Sequence, residues 1–446
     1  MNNMTTPIID FVSGYVGEET LRLHMPGHKG KSYLGFEERD ITEIKGADSL
    51  YEADGIIKES EDNASKLFGC RTYYSTEGSS HCIRAMVYLC AVYAKSKGKK
   101  PCISAFRNVH KTFLSAVAMT DCEVHWLCGD DETYLSCSVS EEFLENHLKE
   151  HEGEITAVYL TSPDYLGKIA DIKALSRVCH KHGVLLVVDN AHGAYLKFLP
   201  KSQHPIDLGA DICCDSAHKT LSVLTGGAYL HFSGTLPTFF EKNAKKALSL
   251  FGSTSPSYLI LQSLDKANEY LSTSFKKEVE KMLARVLSLK QSLISHGYTL
   301  YGDEEMKITI STKSFGYRGD DFAEVLRQKG VELEFSDPDF AVLMLSTALE
   351  NDIDKIEKIL LSIEKKPPIE ALPPKCHKHE RVMSVRQAIF SEWETIKIED
   401  SVGRVLSQGS VGCPPAVPIV MCGEKITTED KDAFLYYGIE YCDVIK

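Results

Sequence analysis

The chain has 446 residues, 43% of them hydrophobic and 25% charged, and a formal net charge of -13. That length suggests two or three domains with ample core. The acidic balance argues against nucleic acid or an anionic membrane as a main partner, and no apolar run approaches a membrane span.

At the N-terminus no basic segment precedes an apolar one, and Asp10 interrupts the run 8–12, so no signal peptide is expected. The scattered cysteines form no CxxC pair. Several (Cys82, Cys90, Cys213, Cys214) lie in apolar runs as reduced core thiols do, which makes the cytoplasm the expected location. Residues 7–16 carry Ile8, Ile9, Val12 and Val16 at the spacing of a short amphipathic helix. The segment 21–31 reads as a turn, the stretch 40–57 as irregular, and 59–68 as a helix closed by Gly69. A strand over 72–76 leads through Glu77, Gly78, Ser79 and Ser80 into a long helix from about 81 to 95. Small residues at a helix start leave N–H groups at the positive end of the dipole, which suits a phosphate. An ordinary serine cap is the plain alternative. Next come a strand over 102–106, the cluster Arg107-Asn108-Val109-His110-Lys111 and a further strand within 117–127. A helix over 138–151, with Glu141 and Glu142 in its first turn, precedes a strand over 157–162 and a helix over 171–182. This alternation predicts a mainly parallel sheet with helices on both faces.

Residues 184–188 are an unbroken apolar run after Gly183, predicted as a strand buried on both faces and ending at Asp189. A carboxylate at that depth needs a partner. It is either a turn former or the partner of a protonated ring nitrogen. The stretch 211–224 (DICCDSAHKTLSVL) reads as a buried strand over 212–214 opening into a polar loop with Asp215, Ser216, His218 and Lys219. Open α/β sheets place ligands at such strand ends. Lys219 is either a solvated charge or a nucleophile, and an amine attacks a carbonyl only when neutral. Pyridoxal phosphate asks for this pair of groups: a lysine for its aldehyde and an acid that keeps its ring nitrogen protonated. Ser216 and His218 would suit its phosphate.

Beyond the lysine, 226–232 reads as one more strand whose paired glycines permit close approach of backbone or cofactor. A hydroxyl-rich loop over 251–258 and a long helical stretch over 258–296 follow. Strand–helix units at 307–311, 320–329, 341–346 and 351–362 predict a small α/β domain. The proline-rich stretch 365–374 is the clearest boundary. After it, 381–391 reads as a helix and 417–421 as an apolar strand within a proline-bearing segment 413–424. Cys376, His377 and His379 could suggest a metal, but no second ligand pair stands at a useful spacing, and no metal is expected.

Ser216-Ala217-His218-Lys219 resembles the cofactor-lysine motif of the Orn/Lys/Arg decarboxylases, fold type I pyridoxal-phosphate enzymes. Other stretches agree in order: 23–29 (LHMPGHK), 40–57, 107–111 (RNVHK), 161–167 (TSPDYLG), 189–193 (DNAHG), 253–258 (STSPSY) and 402–424. The resemblance covers about residues 7–446 and looks like a short form without the regulator-like N-terminal domain of larger members. It implies an N-terminal arm and transferase-like α/β major domain with a mainly parallel sheet over 1–250. A small α/β domain over 251–365 and a C-terminal α+β domain over 366–446 complete the expectation. It implies Lys219, Asp189 and His110 as catalytic residues, with His110 flat on the cofactor ring. Around the cofactor it groups Gly78, Ser79, Ser80, His192, Ser216 and His218 with those three, and Ser253 or Thr254 across a dimer interface. The implied reaction is decarboxylation of arginine, lysine or ornithine to a polyamine-pathway amine, in a homodimer or larger homo-oligomer with shared active sites. An aminotransferase on the same fold is the alternative, with Arg318 as one clamp for a substrate carboxylate. Asp48, Asp54, Asp164 and Glu424 are candidates for a cationic side chain's pocket. Glu77 stands where the family usually has Asn, Asn190 where Glu is common and Tyr195 where His is common. A carboxylate beside a phosphate is unfavourable, so Glu77 must point away or the geometry there must differ. The changes at 190 and 195 bear on substrate identity.

Overall fold

A computed structural model describes residues 4–18, 20–129, 133–408 and 416–446. Seven short strands come first: β1 (Arg71–Ser75), β2 (Cys102–Phe106), β3 (Glu123–Leu127), β4 (Ala157–Thr161), β5 (Leu185–Asp189), β6 (Ile212–Asp215) and β7 (Ala228–Phe232). The chain divides into two compact units. One holds the chain to Tyr93 and Leu185–Glu278, the other Ala94–Val184 and Val279–Lys446.

In the first unit the strands lie in the order β1-β7-β6-β5. Strands β5 and β6 are parallel, with Asp189 opposite Cys214. β6, and all of β5 but its first residue, are buried, which is why their sequences read as apolar runs rather than alternations. β7 departs from the parallel expectation: it runs antiparallel to both β6 and β1. The reason lies in its connection. Only one helical turn, Ala217–Thr220, and a short loop join β6 to β7, and a short link suits antiparallel neighbours, whereas a parallel return needs a long crossover. Helix Ile56–Phe68 ends where Gly69 adopts φ 66° and its N–H bonds the Ser65 carbonyl. The helix after β1 begins at Gly78, three residues ahead of its expected start, and runs to Ser96. The stretch 258–296 is two helices, Tyr258–Thr273 and Phe275–His296.

In the second unit β4-β2-β3 are all parallel. Helix Lys111–Thr120 was not foreseen. Its N-cap, His110, accepts a hydrogen bond from the Thr112 N–H, and Phe113, Leu114, Ala116 and Val117 are buried. Ser140 and Asp171 cap the expected helices Glu141–Glu150 and Ile172–Lys181. A four-stranded antiparallel sheet contains β8 (Leu300–Tyr301), β9 (Lys307–Ser311), β10 (Phe335–Ser336) and β11 (Phe340–Met344), in the order β10-β11-β9-β8. A three-stranded one contains β12 (Trp393–Lys397), β13 (Leu406–Gln408) and β14 (Tyr441–Ile445), in the order β12-β14-β13. Phe335, Phe340 and Val342 share one core with Leu406, Val420, Phe434 and Val444. Two expectations near the C-terminus need correction. The helix predicted over 381–391 is only Val385–Phe390, set by a capping box between Ser384 and Gln387. Residues 417–421 are buried but form no strand; Pro418 has no N–H to give a ladder. Residues 413–415 of that segment lie outside the described residues.

Candidate functional site

The parallel pairing of β5 with β6 brings Asp189 and the residues after Asp215 to one sheet edge. Lys219 is not in a loop, as expected, but on the helical turn Ala217–Thr220, where its N–H bonds the Ser216 carbonyl at 3.0 Å. Its Nζ lies 3.0 Å from His192 Nε2. Asp189 is 2% exposed, and its Oδ1 accepts the Ala191 N–H at 3.2 Å. Beside the lysine, the Ser216 hydroxyl donates to Ser79 Oγ at 2.7 Å. The His218 ring sits against the same helix start, with Cε1 3.8 Å from where a Cβ on Gly78 would be. His218 Nδ1 donates to the Gly227 carbonyl at 3.0 Å. The two glycines after the lysine serve backbone approach. Gly226 has φ 100°, its carbonyl accepts the Gly78 N–H at 2.7 Å, and a Cβ there would stand 2.8 Å from the Thr76 carbonyl oxygen.

Behind this edge lies a buried polar network. Asn190 Nδ2 donates to Asp215 Oδ1 at 2.7 Å, and His204 Nε2 and His231 Nε2 each lie 3.1 Å from Asp215 Oδ2. Thr72 Oγ1 holds the other nitrogen of His231 at 2.9 Å. Burial opposes ionisation of Asp215, but the two histidines outweigh it and hold the carboxyl well below the usual range. The network therefore clamps the ends of β5 and β6, the strands that present Asp189 and Lys219. Neither His204 nor His231 was singled out from the sequence. A histidine inside β7, a strand buried at all of its positions, was the signal available.

The remaining expected residues stand as follows. Ser80 is in the first turn of the helix Gly78–Ser96. Ser253 and Thr254 are exposed, and the Ser253 N–H donates to Glu77 Oε1 of the same chain at 2.5 Å. Glu77 is thus turned to this loop, which answers the question its charge raised. His110, in the second unit, accepts the Thr112 N–H through Nδ1 at 3.2 Å. Of the four acids weighed for a cationic substrate, three have fixed partners. Asp48 accepts backbone N–H groups from Ser49 to Lys58. Asp164, pushed up to about 6 by burial, accepts the Lys168 N–H at 2.9 Å. Glu424 forms a buried two-pronged ion pair with Arg107, at 2.7 and 2.8 Å. Asp54 is exposed, as is Arg318 at a helix N-cap.

Comparison with known proteins gives a consistent picture. Residues 6–311 match the family described as Orn/Lys/Arg decarboxylase, major domain, and residues 375–440 match Orn/Lys/Arg decarboxylase, C-terminal domain. Arginine decarboxylase of Bacillus subtilis (strain 168) is 28% identical over 470 aligned positions, covering 96% of this chain and 93% of the relative. The crystal structure of the Francisella novicida lysine decarboxylase LdcF superposes with a TM-score of 0.80 at 16% identity, covering 100% of this chain and 82% of that one. Lysine decarboxylase A from Pseudomonas aeruginosa gives the same TM-score and identity over 99% of this chain and 80% of that one. These likenesses show the fold, the fold type I α/β architecture expected from the motifs.

Proposed function

The chain belongs to the Orn/Lys/Arg decarboxylase family, and from that premise we propose that it is a pyridoxal-phosphate-dependent carboxy-lyase converting a basic amino acid to its amine. The observation that carries this reading is that Asp189, at the end of β5, and Lys219, on the helical turn after the parallel strand β6, come to one sheet edge, with His192 3.0 Å from the lysine amine.

The donor set fits the cofactor. Two hydroxyls (Ser79, Ser216), one imidazole (His218) and the first turn of the helix Gly78–Ser96 gather beside one lysine, as a phosphate ester next to an aldehyde requires. When bound, pyridoxal phosphate supplies an electron sink for the charge left at Cα as carbon dioxide departs. Lys219 holds the cofactor's aldehyde carbon and later delivers a proton to the substrate's Cα. His192 is placed to pass a proton to Lys219. Asp189, in its buried setting, keeps a proton at the ring nitrogen. Ser253 and Thr254 are proposed to complete the phosphate site of a second copy. For His110 the proposal of a flat contact with the ring rests on the RNVHK motif. Burial of most described cysteines, Cys82, Cys90, Cys213 and Cys214 among them, is in keeping with reduced core thiols and the proposed cytoplasmic location.

Arginine is the first substrate to test, because the B. subtilis relative bears that name over nearly its whole length; lysine and ornithine follow. Purified, cofactor-loaded protein would be incubated with each and the products read by mass spectrometry. One amine is expected from wild type, and none from Lys219→Ala, which also loses borohydride-trapped cofactor. Turnover by Lys219→Ala would overturn the mechanism. A keto acid in place of amine and carbon dioxide would overturn the carboxy-lyase reading and leave the cofactor site standing.

A further inference from the structure

The second unit gathers three histidines that play no part in the site above. His125 is the central residue of β3, and His147 and His151 stand one turn apart at the end of the helix Glu141–Glu150, His151 as its C-cap. A spacing of four puts both on one helix face, and that face meets β3. Ring centroids lie 4.3 Å apart for His125–His151, 4.8 Å for His147–His151 and 5.9 Å for His125–His147. One ring nitrogen from each lies within 4.8 Å of those of the other two. Small side-chain rotations bring three such atoms to about 2.0–2.1 Å from a common centre. We propose that His125, His147 and His151 form a binding site for a divalent transition-metal ion, zinc foremost, that ties the helix to β3.

Two of the rings are already held from outside the cluster. Ser104 Oγ lies 2.8 Å from His147 Nε2, and Glu154 Oε2 lies 3.2 Å from His151 Nδ1. Polar partners on ring nitrogens are how proteins orient imidazoles toward a metal. The three side chains are part-exposed, so an ion can enter with its water. Imidazole nitrogens select zinc, nickel, cobalt or copper over magnesium and calcium. Three of them leave a fourth position for water. The other histidine–carboxylate groupings are already engaged in hydrogen bonds. His379 Nε2 donates to Asp430 Oδ1 at 2.8 Å while that carboxylate caps Thr427, and His204 with Asp215 belongs to the clamp behind the lysine.

The test takes the full, cofactor-loaded chain with any affinity tag removed, strips it with a chelator and titrates it with zinc chloride by calorimetry. Cobalt(II) replaces zinc for a visible spectrum. A single ion per chain, a cobalt spectrum of nitrogen ligation and a higher Tm with zinc are expected. His125→Gln and the double variant His147→Ala/His151→Ala should each lower zinc affinity at least about tenfold and abolish the rise in Tm. Far-UV circular dichroism and bound cofactor should be unchanged. Failure of the wild type to bind a stoichiometric ion would overturn the proposal. So would undiminished binding in both variants, which would put the ion elsewhere. His125→Gln keeps a polar side chain on the strand and decides the matter alone if the helix variant misfolds.

Discussion

Asp189 is the residue whose chemistry is most exposed to test. Asparagine has its shape and still accepts the Ala191 N–H, so Asp189→Asn should fold and bind cofactor. In the proposed mechanism it could not keep a proton at the ring nitrogen, so kcat should fall by about a hundredfold or more. Steady-state kinetics beside circular dichroism check this, and a kcat within a few fold of wild type would remove the electron-sink role. Asp337, in the second unit, tests the opposite situation. Burial pushes its carboxyl up to about 7, although it accepts the N–H groups of Asp339 and Phe340 at 2.8 and 2.7 Å. Its folded pKa lies above the unfolded value of about 4, so the folded state holds a proton that the unfolded chain has released. Stability from this group is full below about pH 4, is lost as pH rises to about 7, and changes no further above that. Asp337→Asn should therefore raise Tm at pH 8 and leave it nearly unchanged at pH 4; thermal melts at the two values decide. Lys219 and Asp189 could be singled out in the sequence because Asp189 closes a buried run and Lys219 lies in the polar cluster that follows another. His204 and His231 were not, because only folding brings them to Asp215 from separate segments.

Among the elements, strands β1 to β7 were read most faithfully, while β8, β10, β12, β13 and β14 were not foreseen. An unbroken apolar run announces a buried strand, but the helix Lys111–Thr120 starts from a histidine cap that no common N-terminal signal marks. The strand expected at 417–421 had the right hydrophobicity and the wrong backbone, since burial there serves a proline-containing segment folded around Glu424. That segment is fastened by the ion pair with Arg107, the two side chains 4% and 3% exposed, and by the Met421 N–H bonded to Glu424 Oε2 at 2.9 Å. Glu424→Ala would leave a buried guanidinium without its partner, at a loss of about 3–5 kcal/mol. Arg107→Met combined with Glu424→Leu should recover most of that loss, because the pair's desolvation penalty vanishes with it. Thermal melts of the single and double variants measure the difference. Equal losses in both would mean that the segment depends on the charges themselves.

For the whole molecule, the family match falls in two segments, 6–311 and 375–440, and we propose 366–446 as a separate C-terminal domain. The backbone supports a boundary. Residues 364–380 contain no helix or strand, Leu372 is 81% exposed, and the last backbone tie of the stretch to the small sheet region is the Ile369 N–H to the Lys313 carbonyl. Brief trypsin treatment should cut first after Lys375 or Lys378 and release a fragment of about 70 residues on denaturation. The pieces should stay together on gel filtration, because Phe335 and Phe340 share a core with Phe434 and Val444. Intact-mass analysis reads both results; a first cut elsewhere would refute the boundary.

The clamp between Asn190 and Asp215 also constrains how this sequence can drift. A buried anion at 215 accepts from two imidazoles, a thiol and the amide next to Asp189. A glutamate at 190 would set two carboxylates face to face unless position 215 surrendered its charge in the same step. The two positions therefore share one negative charge between them. A change at 190 read alone would suggest a new substrate, when half of the exchange lies on the neighbouring strand.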